Sequence, residues 1–419
     1  MNKETVEQVV LESGLWDQGR KSTHGFILSP SVFEISQSQR EKFETIGNAL
    51  YHCLAGLSRI AVIAWNPWLG RNKTWGMISR ALRIGIPKIY YDLQALKPNK
   101  VPSICKVDFM EATDGRLLIA EIDGHNPHGL GYSTLGARIR RVVAPQAQVF
   151  PGVATMLAEE TKRIGNSNYE LTLLYADQER FYLPEFKILQ NELAKLGIKL
   201  TVIAESEFNL SEQIVKNQLF VYLPFLYHNT ELNETLAKLY LQGEIDFLIP
   251  PKPFLGSKTI LALLRNDEKN KELEAILHSQ IPATMLELLR HYIPETYLIR
   301  KSPRTDWESF CQKNGGFVLK EAISYGMKGM VFSNEEKFPA ILEKACSSYY
   351  RFILQREVIN CSRSFQFFEN DGTLQQDEWY MRITVHYSIR QVADITVTAR
   401  RDKKVHGALD CLQLGTIIV

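Results

Sequence analysis

Two short apolar runs lie on either side of a glycine-containing turn between Gly315 and Phe332, and they constrain the fold more than any other stretch. The first run ends at Lys320, and the pattern predicts a strand, a flexible turn and a second strand. Glycine permits close backbone approach and ammonium groups neutralise oxygens, so such a turn suits a phosphate chain. Both residue types are also common in solvated turns, and that plainer interpretation stays open. The turn residues that would contact phosphate are Lys320, Gly326, Lys328 and Gly329.

The bulk composition excludes several classes of protein. A chain of 419 residues is expected to form two or three structural units. Its formal net charge of +2 predicts no dedicated nucleic-acid surface and no anionic-membrane surface. The six cysteines include no C-x-x-C pair, which argues against a zinc site. No signal peptide is recognisable and no uninterrupted apolar run approaches about 20 residues, so we expect a protein of the reducing cytoplasm.

Regular elements are predicted in the first half of the chain. Apolar spacing from Gln39 to Leu57 predicts an amphipathic helix, and the apolar run from Arg59 to Trp65 predicts a strand. A helix is expected from Val153 to Ile164. Residues 168–250 then alternate strand and helix patterns, which predicts a small doubly wound domain of the kind that carries a substrate at the carboxyl ends of its strands.

A second hairpin carries acidic residues. The Thr113 to Gly115 turn predicts that the flanking segments pair as antiparallel strands. Glu121 and Asp123 would share one face because strand side chains alternate, and Asp108 lies on the partner strand. Three carboxylates gathered in this way suit Mg²⁺, whereas exposed, ordinary carboxylates are the alternative. The apolar run around Glu121 and Asp123 favours the metal site, because buried acids require a cation.

The loop after this hairpin is rich in polar residues. Its two histidines, His125 and His128, are three apart on a stretch that contains proline and glycine, which is not a metal-ligand signature. We expect Asn126, His128 and Ser133 to form hydrogen bonds with a substrate if the loop borders a substrate-binding site.

Basic residues in the second half of the chain complete the set of candidates. Lys258 opens a helical pattern well before Lys320, and Lys252 is expected at the surface. Arg382 lies among apolar residues of an alternating strand, so it should have a carboxylate or phosphate partner.

The order of these motifs resembles the ATP-grasp enzymes. The sequence has a first lysine, a second lysine at the end of a strand, a glycine-containing loop and then the segment from Gln355 to Val358, which resembles an adenine-binding hinge. An Asp followed by Glu-x-Asp precedes these lysines, as in the circularly permuted ligases that include eukaryotic-type glutathione synthetase and glutathionylspermidine synthase. Asp123 stands where those families usually carry Asn.

The resemblance implies an α/β protein with a circularly permuted ATP-grasp fold and a doubly wound substrate-binding domain. Residues 1–150 would hold the metal-binding hairpin, 168–250 the substrate domain and 251–419 the nucleotide-binding part. The implied reaction joins a small-molecule carboxylate to an amine through an acyl phosphate and consumes ATP. Oligomeric state is open, with a homodimer as one option. The implied roles are Mg²⁺ ligation by Asp108, Glu121 and Asp123, catalysis by Lys320 and Arg382, and ATP binding by Lys258, Lys320, Gly326, Lys328, Gly329, Gln355, Glu357 and Val358.

Two departures from the family pattern favour an alternative function. The phosphate loop lacks the Glu that several members use as a metal ligand, and only Glu321 or Ser324 lies near that position. The segment from Lys403 to Gly415 resembles the family's closing loop but has fewer glycines. A degenerate protein that binds ATP without ligase chemistry is therefore the main alternative, and an α/β binding domain with no role for ATP is the third.

Overall fold

The computed structural model describes residues 3–15, 26–66, 68–88, 90, 97–125, 128–164, 170–209, 218–221, 230–301, 306–324, 329–389, 391–407 and 410–419. Asn126, Gly326 and Lys328 lie outside these described residues. Within them the chain forms the helices α1 Lys3–Glu12, α2 Gln37–Ala64, α3 Lys73–Arg83, α4 Leu130–Val143, α5 Val153–Ile164, α6 Leu183–Lys195, α7 Thr230–Gln242, α8 Thr259–Arg265, α9 Lys271–Gln280, α10 Ala283–Tyr292, α11 Trp307–Asn314 and α12 Phe338–Ser347. The strands are β1 Phe33–Ile35, β2 Ile104–Glu111, β3 Leu117–Asp123, β4 Glu170–Tyr175, β5 Leu200–Ala204, β6 Gln218–Phe220, β7 Ile245–Phe247, β8 Thr296–Leu298, β9 Phe317–Glu321, β10 Met330–Phe332, β11 Phe352–Arg356, β12 Ser362–Phe368, β13 Leu374–Ser388, β14 Val392–Arg400 and β15 Cys411–Ile418.

The largest sheet has seven strands in the order β1-β15-β14-β13-β2-β3, with β12 paired beside β13. β1 runs parallel to β15, and the other pairs are antiparallel. Period-two alternation gives the sheet an apolar face that includes Val107, Ile383 and Tyr387. The opposite face carries polar side chains, and these form the candidate site described below.

Helix α2 covers the apolar face of this sheet. It begins at a capping box in which Ser36 and Gln39 exchange hydrogen bonds with each other's backbone. The helix approaches so closely that a Cβ on Gly47 would lie 2.6 Å from the Tyr387 ring. It also continues through Arg59 to Ala64, so the prediction of a strand from Arg59 to Trp65 is wrong.

Among the described helices, α2 alone is long and apolar enough to cross a membrane by length and composition. However, 67% of its most apolar 18-residue window is buried inside the protein. The helix packs against α9 and α10 as well as the sheet, which is the environment of a core helix.

A second sheet has four antiparallel strands in the order β10-β9-β11-β8. It contains the predicted glycine-turn hairpin, in which Met330 pairs with Lys320 and Phe332 with Val318. Its apolar face packs on α11 and α12 through residues that include Phe317 and Leu354. Lys320 and Gln355 project from the opposite face.

A third sheet contains four parallel strands in the order β5-β4-β6-β7, all of them within residues 168–250. Helix α6 packs on β5 and α7 on β7. These helices connect strands of one parallel sheet, as the doubly wound prediction required. The chain as a whole is an α/β protein.

Two further expectations are corrected by the structure. Lys252 is only 2% exposed, not a surface residue, because its ammonium donates to Ser58 Oγ at 2.6 Å and to the carbonyl oxygens of Lys97 and Lys100 at 2.7 Å. The segment expected to resemble a closing loop instead includes the start of the buried strand β15, which lies between β1 and β14 in the large sheet.

Candidate active site

The three predicted metal ligands lie on one face of the β2-β3 hairpin. Asp108 pairs across the ladder with Glu121, and Lys106 pairs with Asp123, so all four side chains project to the same side. β13 continues this polar face, because Thr384 pairs with Asp108 and its hydroxyl donates to Asp108 Oδ1 at 2.7 Å. A shift in the ladder register between Asp108 and Phe109 marks an irregularity directly beside these acids.

Two lysines approach this acidic face from other elements. Lys258 precedes α8, and its Nζ lies 2.8 Å from Glu121 Oε1 and 2.9 Å from the carbonyl oxygen of Ser324. Lys320, at the second-last position of β9, donates to Gln355 Oε1 at 2.6 Å and to the Ala120 carbonyl oxygen at 3.1 Å. The nucleotide-binding candidates and the metal-binding candidates, far apart in sequence, are therefore in contact.

Lys106 is a member of the site that the sequence prediction missed. Its Nζ lies 3.8 Å from Asp108 Oδ2 and 3.8 Å from Asp123 Oδ2. Burial opposes the charged form of Lys106, but the carboxylates of Asp108, Asp123 and Glu121 outweigh it and raise the pKa above its ordinary value. Lys106 is two residues before Asp108, so strand alternation was the signal that would have placed it on this face.

Arg382 has the carboxylate partner that its apolar surroundings predicted. Its Nη1 lies 3.8 Å from Asp108 Oδ2, and its Nη2 lies 3.5 Å from the hydroxyl of Thr398. The pKa of Asp108 falls to about 2 although burial opposes this, because Lys106, Arg382 and the Thr384 hydrogen bond all favour the carboxylate. Asp108 is ionised at any physiological pH.

The site as a whole favours anions. Four cationic side chains, Lys106, Lys258, Lys320 and Arg382, face three carboxylates. Burial lowers the pKa of Lys320 to about 8, although the charge on Glu121 acts in the opposite direction. The Lys320 ammonium is buried and its hydrogen-bond acceptors are neutral. An anion bound beside it would therefore stabilise its charged form strongly.

The chemistry of the carboxylates fits a hard divalent cation, because all the donors are oxygens on one sheet face. Their ligand atoms are not gathered around one point: among the described residues, the only three His, Cys, Asp or Glu side chains within 4.8 Å of one another are Glu274, His278 and Glu287. Glu274 in that group is bound by Arg290. Ion pairs with Lys106 and Lys258 hold the acids of the candidate site instead.

The predicted hinge begins within β11 and extends two residues beyond it. The side chain of Gln355 is buried between Lys320 and Thr296, and it donates to the Thr296 hydroxyl at 3.2 Å. The backbone N–H of Glu357 donates to the Gly316 carbonyl oxygen at 2.7 Å. Val358, the second residue after the strand, is half-buried.

The predicted substrate contacts have protein partners. His128 stacks on Tyr182 with a ring separation of 4.0 Å, and its Nε2 lies 3.4 Å from Glu179 Oε1. Ser133 is fully buried and donates to Asp394 Oδ2 at 2.5 Å. Asn126 lies outside the described residues, so no geometry is assigned to it.

The glycine loop is described at its two ends. Gly329 has a φ of +71°, and a Cβ there would lie 2.7 Å from the Cβ of Glu321. Glu321 forms an ion pair with Arg351 at 2.7 Å, whereas the backbone and hydroxyl of Ser324 accept from Lys258. Gly326 and Lys328, between these ends, lie outside the described residues.

Fold and site together define an α/β protein in which lysines from two elements meet the carboxylates of a third. No protein-family model matches the chain. No curated protein matches it in sequence.

Two solved structures match the chain at low sequence identity. A putative gamma-glutamylcysteine synthetase from Methylobacillus flagellatus KT matches with a TM-score of 0.36 and 11% identity, over 78% of this chain and 83% of its own. D-alanine–D-alanine ligase from Bacillus anthracis matches with a TM-score of 0.28 and 10% identity, over 58% of this chain and 86% of its own. Similarity this low does not establish a shared activity, and the function proposed next depends on the site.

Proposed function

We propose that the protein is an ATP-dependent carboxylate–amine ligase of the circularly permuted ATP-grasp type. The observation that carries the proposal is the convergence of Lys258 and Lys320 on the β2-β3 hairpin. Lys258 contacts Glu121 at 2.8 Å, and Lys320 contacts the neighbouring Ala120 carbonyl at 3.1 Å. The acidic hairpin precedes both lysines in the chain, which is the permuted order.

The two lysines would bind the phosphates of ATP. Both are at most 6% exposed, so their charges are poorly solvated and are available to phosphate oxygens. The adenine would lie against the hinge from Gln355 to Val358. Because the N–H of Glu357 is engaged by Gly316, hydrogen bonds to the base would come from other hinge groups.

The metal ligands would be Asp108, Glu121 and Asp123. Mg²⁺, when bound there with the nucleotide, would neutralise phosphate oxygens and polarise the transferred phosphoryl group. The protein would hold the three carboxylates on one face of the sheet. The antiparallel pairing of Asp108 with Glu121 fixes two of them next to each other.

The proposed reaction has two steps. A substrate carboxylate oxygen attacks the γ-phosphorus of ATP, and the bond to the β,γ-bridging oxygen breaks, giving an acyl phosphate and ADP. An amine then attacks the acyl carbon, inorganic phosphate leaves and the amine loses a proton, giving an amide. Arg382 and Lys106 each lie 3.8 Å from Asp108 Oδ2 and would stabilise the negative charge that develops on the carbonyl oxygen.

Each of the three segments of the chain would have a separate role in the reaction. Residues 1–150 would contribute the metal-binding hairpin and 251–419 the nucleotide-binding lysines and hinge. The parallel sheet within 168–250 would present a substrate at the carboxyl ends of its strands, as sheets of this kind commonly do. The substrates are small-molecule carboxylates and amines.

One observation favours the second candidate, a degenerate ATP-binding protein. Glu321 is engaged by Arg351 and alternates to the opposite side of β9 from Lys320. Ser324, the later candidate, offers Lys258 only neutral oxygens. Neither residue therefore adds a carboxylate beside the lysines to replace the missing loop Glu.

The test is Mg²⁺-dependent release of ADP and phosphate from ATP in the presence of pools of amino acids and amines. The native chain should turn over ATP with at least one pool, and Lys320→Met and Glu121→Gln should each lose that turnover. Lys344→Ala, an exposed lysine on α12, is the matched control and should retain it.

Nucleotide binding measured by calorimetry separates the candidates. Binding without turnover in any pool would favour the degenerate protein. Absence of ATP binding by the folded native chain would overturn both.

A further inference from the structure

A cavity of about 830 Å³ opens at the end of β8, away from the candidate active site. Its walls are formed by the start of α3, the residues that follow β8, the first turn of α11 and the tyrosines that precede β11. Its described lining includes none of the candidate active-site residues that the structure describes. The volume lies in the range of pockets that bind small molecules, about 300–1,000 Å³.

The lining of the cavity is strongly basic. Arg300 is directed by an ion pair with Glu268 at 3.4 Å and donates to the hydroxyl of Tyr350 at 2.6 Å. Four more cations line the same cavity and are exposed, namely Arg71, Lys73, Arg80 and Lys301. Among the described residues that line the cavity, Glu268 is the only acidic one, so this lining has a large excess of positive charge.

Aromatic residues line the same cavity. Tyr297, Trp307 and Phe310 pack edge to face with one another, with ring separations between 5.3 and 5.8 Å. Tyr349 stands at the rim and is 54% exposed. A cavity lined by both aromatic rings and cationic side chains suits a ligand that carries both a ring and negative charge.

The backbone at the rim is held in an uncommon conformation. Tyr349 and Tyr350 have φ values of +38° and +67°, in the left-handed region that bulky residues rarely adopt. The Tyr350 N–H donates to the carbonyl oxygen of Ile299 at 2.9 Å, and its hydroxyl accepts from Arg300. Such conformations persist where surrounding contacts impose them, and they cluster at ligand clamps.

We propose that this cavity is a second binding site, for a small anion that carries two or more negative charges on a planar ring, such as an aromatic phosphate ester. Arg80, Lys301 and Arg300 would bind the anionic group. Tyr349 would lie against the ring. The site is separate from the proposed ATP site and does not depend on ligase activity.

The probe is 1-naphthyl phosphate, followed by its fluorescence during titration with the full chain at low salt. Saturable binding is expected, and 1-naphthol, which lacks the phosphate, should bind about tenfold more weakly or worse. Arg80→Glu combined with Lys301→Glu should also weaken binding about tenfold or more, and Tyr349→Ala should weaken it further. If the doubly reversed variant does not fold, as judged by circular dichroism, Arg80→Gln with Lys301→Gln replaces it.

Two controls separate this site from general electrostatics and from the active site. Lys313→Glu with Lys344→Glu changes the net charge by the same amount at exposed positions outside the cavity, and it should leave binding within about twofold. Lys320→Met, a change in the proposed ATP site, should also leave binding of 1-naphthyl phosphate within about twofold. Binding that is not saturable, that weakens equally in the control variant or that disappears in Lys320→Met would overturn the proposal.

Discussion

Lys258 Nζ and Glu121 Oε1 are 2.8 Å apart, and this contact joins the residue before α8 to strand β3 of the large sheet. The lysine side chain is 5% exposed and the glutamate side chain 29%. The buried charge of Lys258 therefore depends on a carboxylate that is partly exposed to solvent. A substitution at either residue should change the stability contributed by the other.

Glu121→Gln is expected to destabilise the protein by about 1–3 kcal/mol, because it removes the counter-charge of Lys258 and leaves that buried ammonium facing neutral oxygens. Adding Lys258→Met should recover part of this loss, with a coupling of about 1 kcal/mol in a double-mutant cycle. Urea unfolding measures both effects. Strictly additive losses would show that the two residues do not depend on each other.

Nucleotide binding should depend on pH through Lys320. Its pKa in the folded protein, about 8, is below the value of about 10.4 for an unfolded chain, so stability from this group rises as the pH increases between these values. A bound phosphate favours the ammonium, so binding should take up a proton and the affinity should fall above about pH 8. Calorimetry in two buffers of different ionisation enthalpy measures this uptake. An affinity that is constant to pH 9.5 would contradict the assignment.

Ser133 is predicted to stabilise the fold through Asp394. Asp394 also accepts from Arg140 Nη1 at 2.6 Å, and both charged groups are at most 2% exposed. Asp394→Asn should cost about 3–5 kcal/mol because it leaves Arg140 buried without a counter-charge, and Ser133→Ala about 1 kcal/mol. Thermal unfolding tests both. A raised KM with unchanged stability in Ser133→Ala would instead support the substrate contact predicted from the sequence.

Close packing of α4 on β15 should not tolerate a side chain at Gly415. A Cβ there would lie 2.2 Å from the Gly136 carbonyl oxygen, so the helix would have to move away from the sheet. Gly415→Ala is expected to destabilise the protein by about 2 kcal/mol or more in denaturant unfolding. Gly70→Ala is the control, because no atom lies within 4 Å of its added Cβ. Similar losses in both variants would contradict the packing argument.

The sequence was most informative where the signals are local. The turn from Thr113 to Gly115 and the alternation around it were enough to predict the β2-β3 hairpin, and the bounds predicted for α5 agree with the structure. The βαβ order within 168–250 gave the parallel sheet for the same reason: each strand and its helix carry their own periodicity.

The error at Arg59 to Trp65 shows the limit of local patterns. A short run of Ile, Val and Ala is compatible with a buried strand or with a helix buried on several sides, and periodicity does not distinguish them. Packing of α2 between the large sheet and helices α9 and α10 decided the outcome, and those partners are distant in sequence.

The site could be predicted as a set of residues but not as a set of contacts. The hairpin pattern predicts Glu121 and Asp108, and the motif order predicts Lys258, yet the pairing of Lys258 with Glu121 requires two distant segments to meet. Lys106 was within reach, since alternation alone puts it beside Asp108. The second cavity could not be predicted from the sequence, because its walls come from α3, β8 and α11, which are distant in the chain.

The parallel pairing of β1 with β15 has a consequence for synthesis of the protein. Phe33 in β1 pairs with Thr416 in β15. The hydrogen bonds of β1 therefore cannot form until β15, at the other end of the chain, has been synthesised. Contacts between such distant residues slow folding, because a long loop must close first. During that delay the apolar side of α2 has no sheet to cover it. We therefore expect the nascent chain to depend on chaperones until β13, β14 and β15 have left the ribosome.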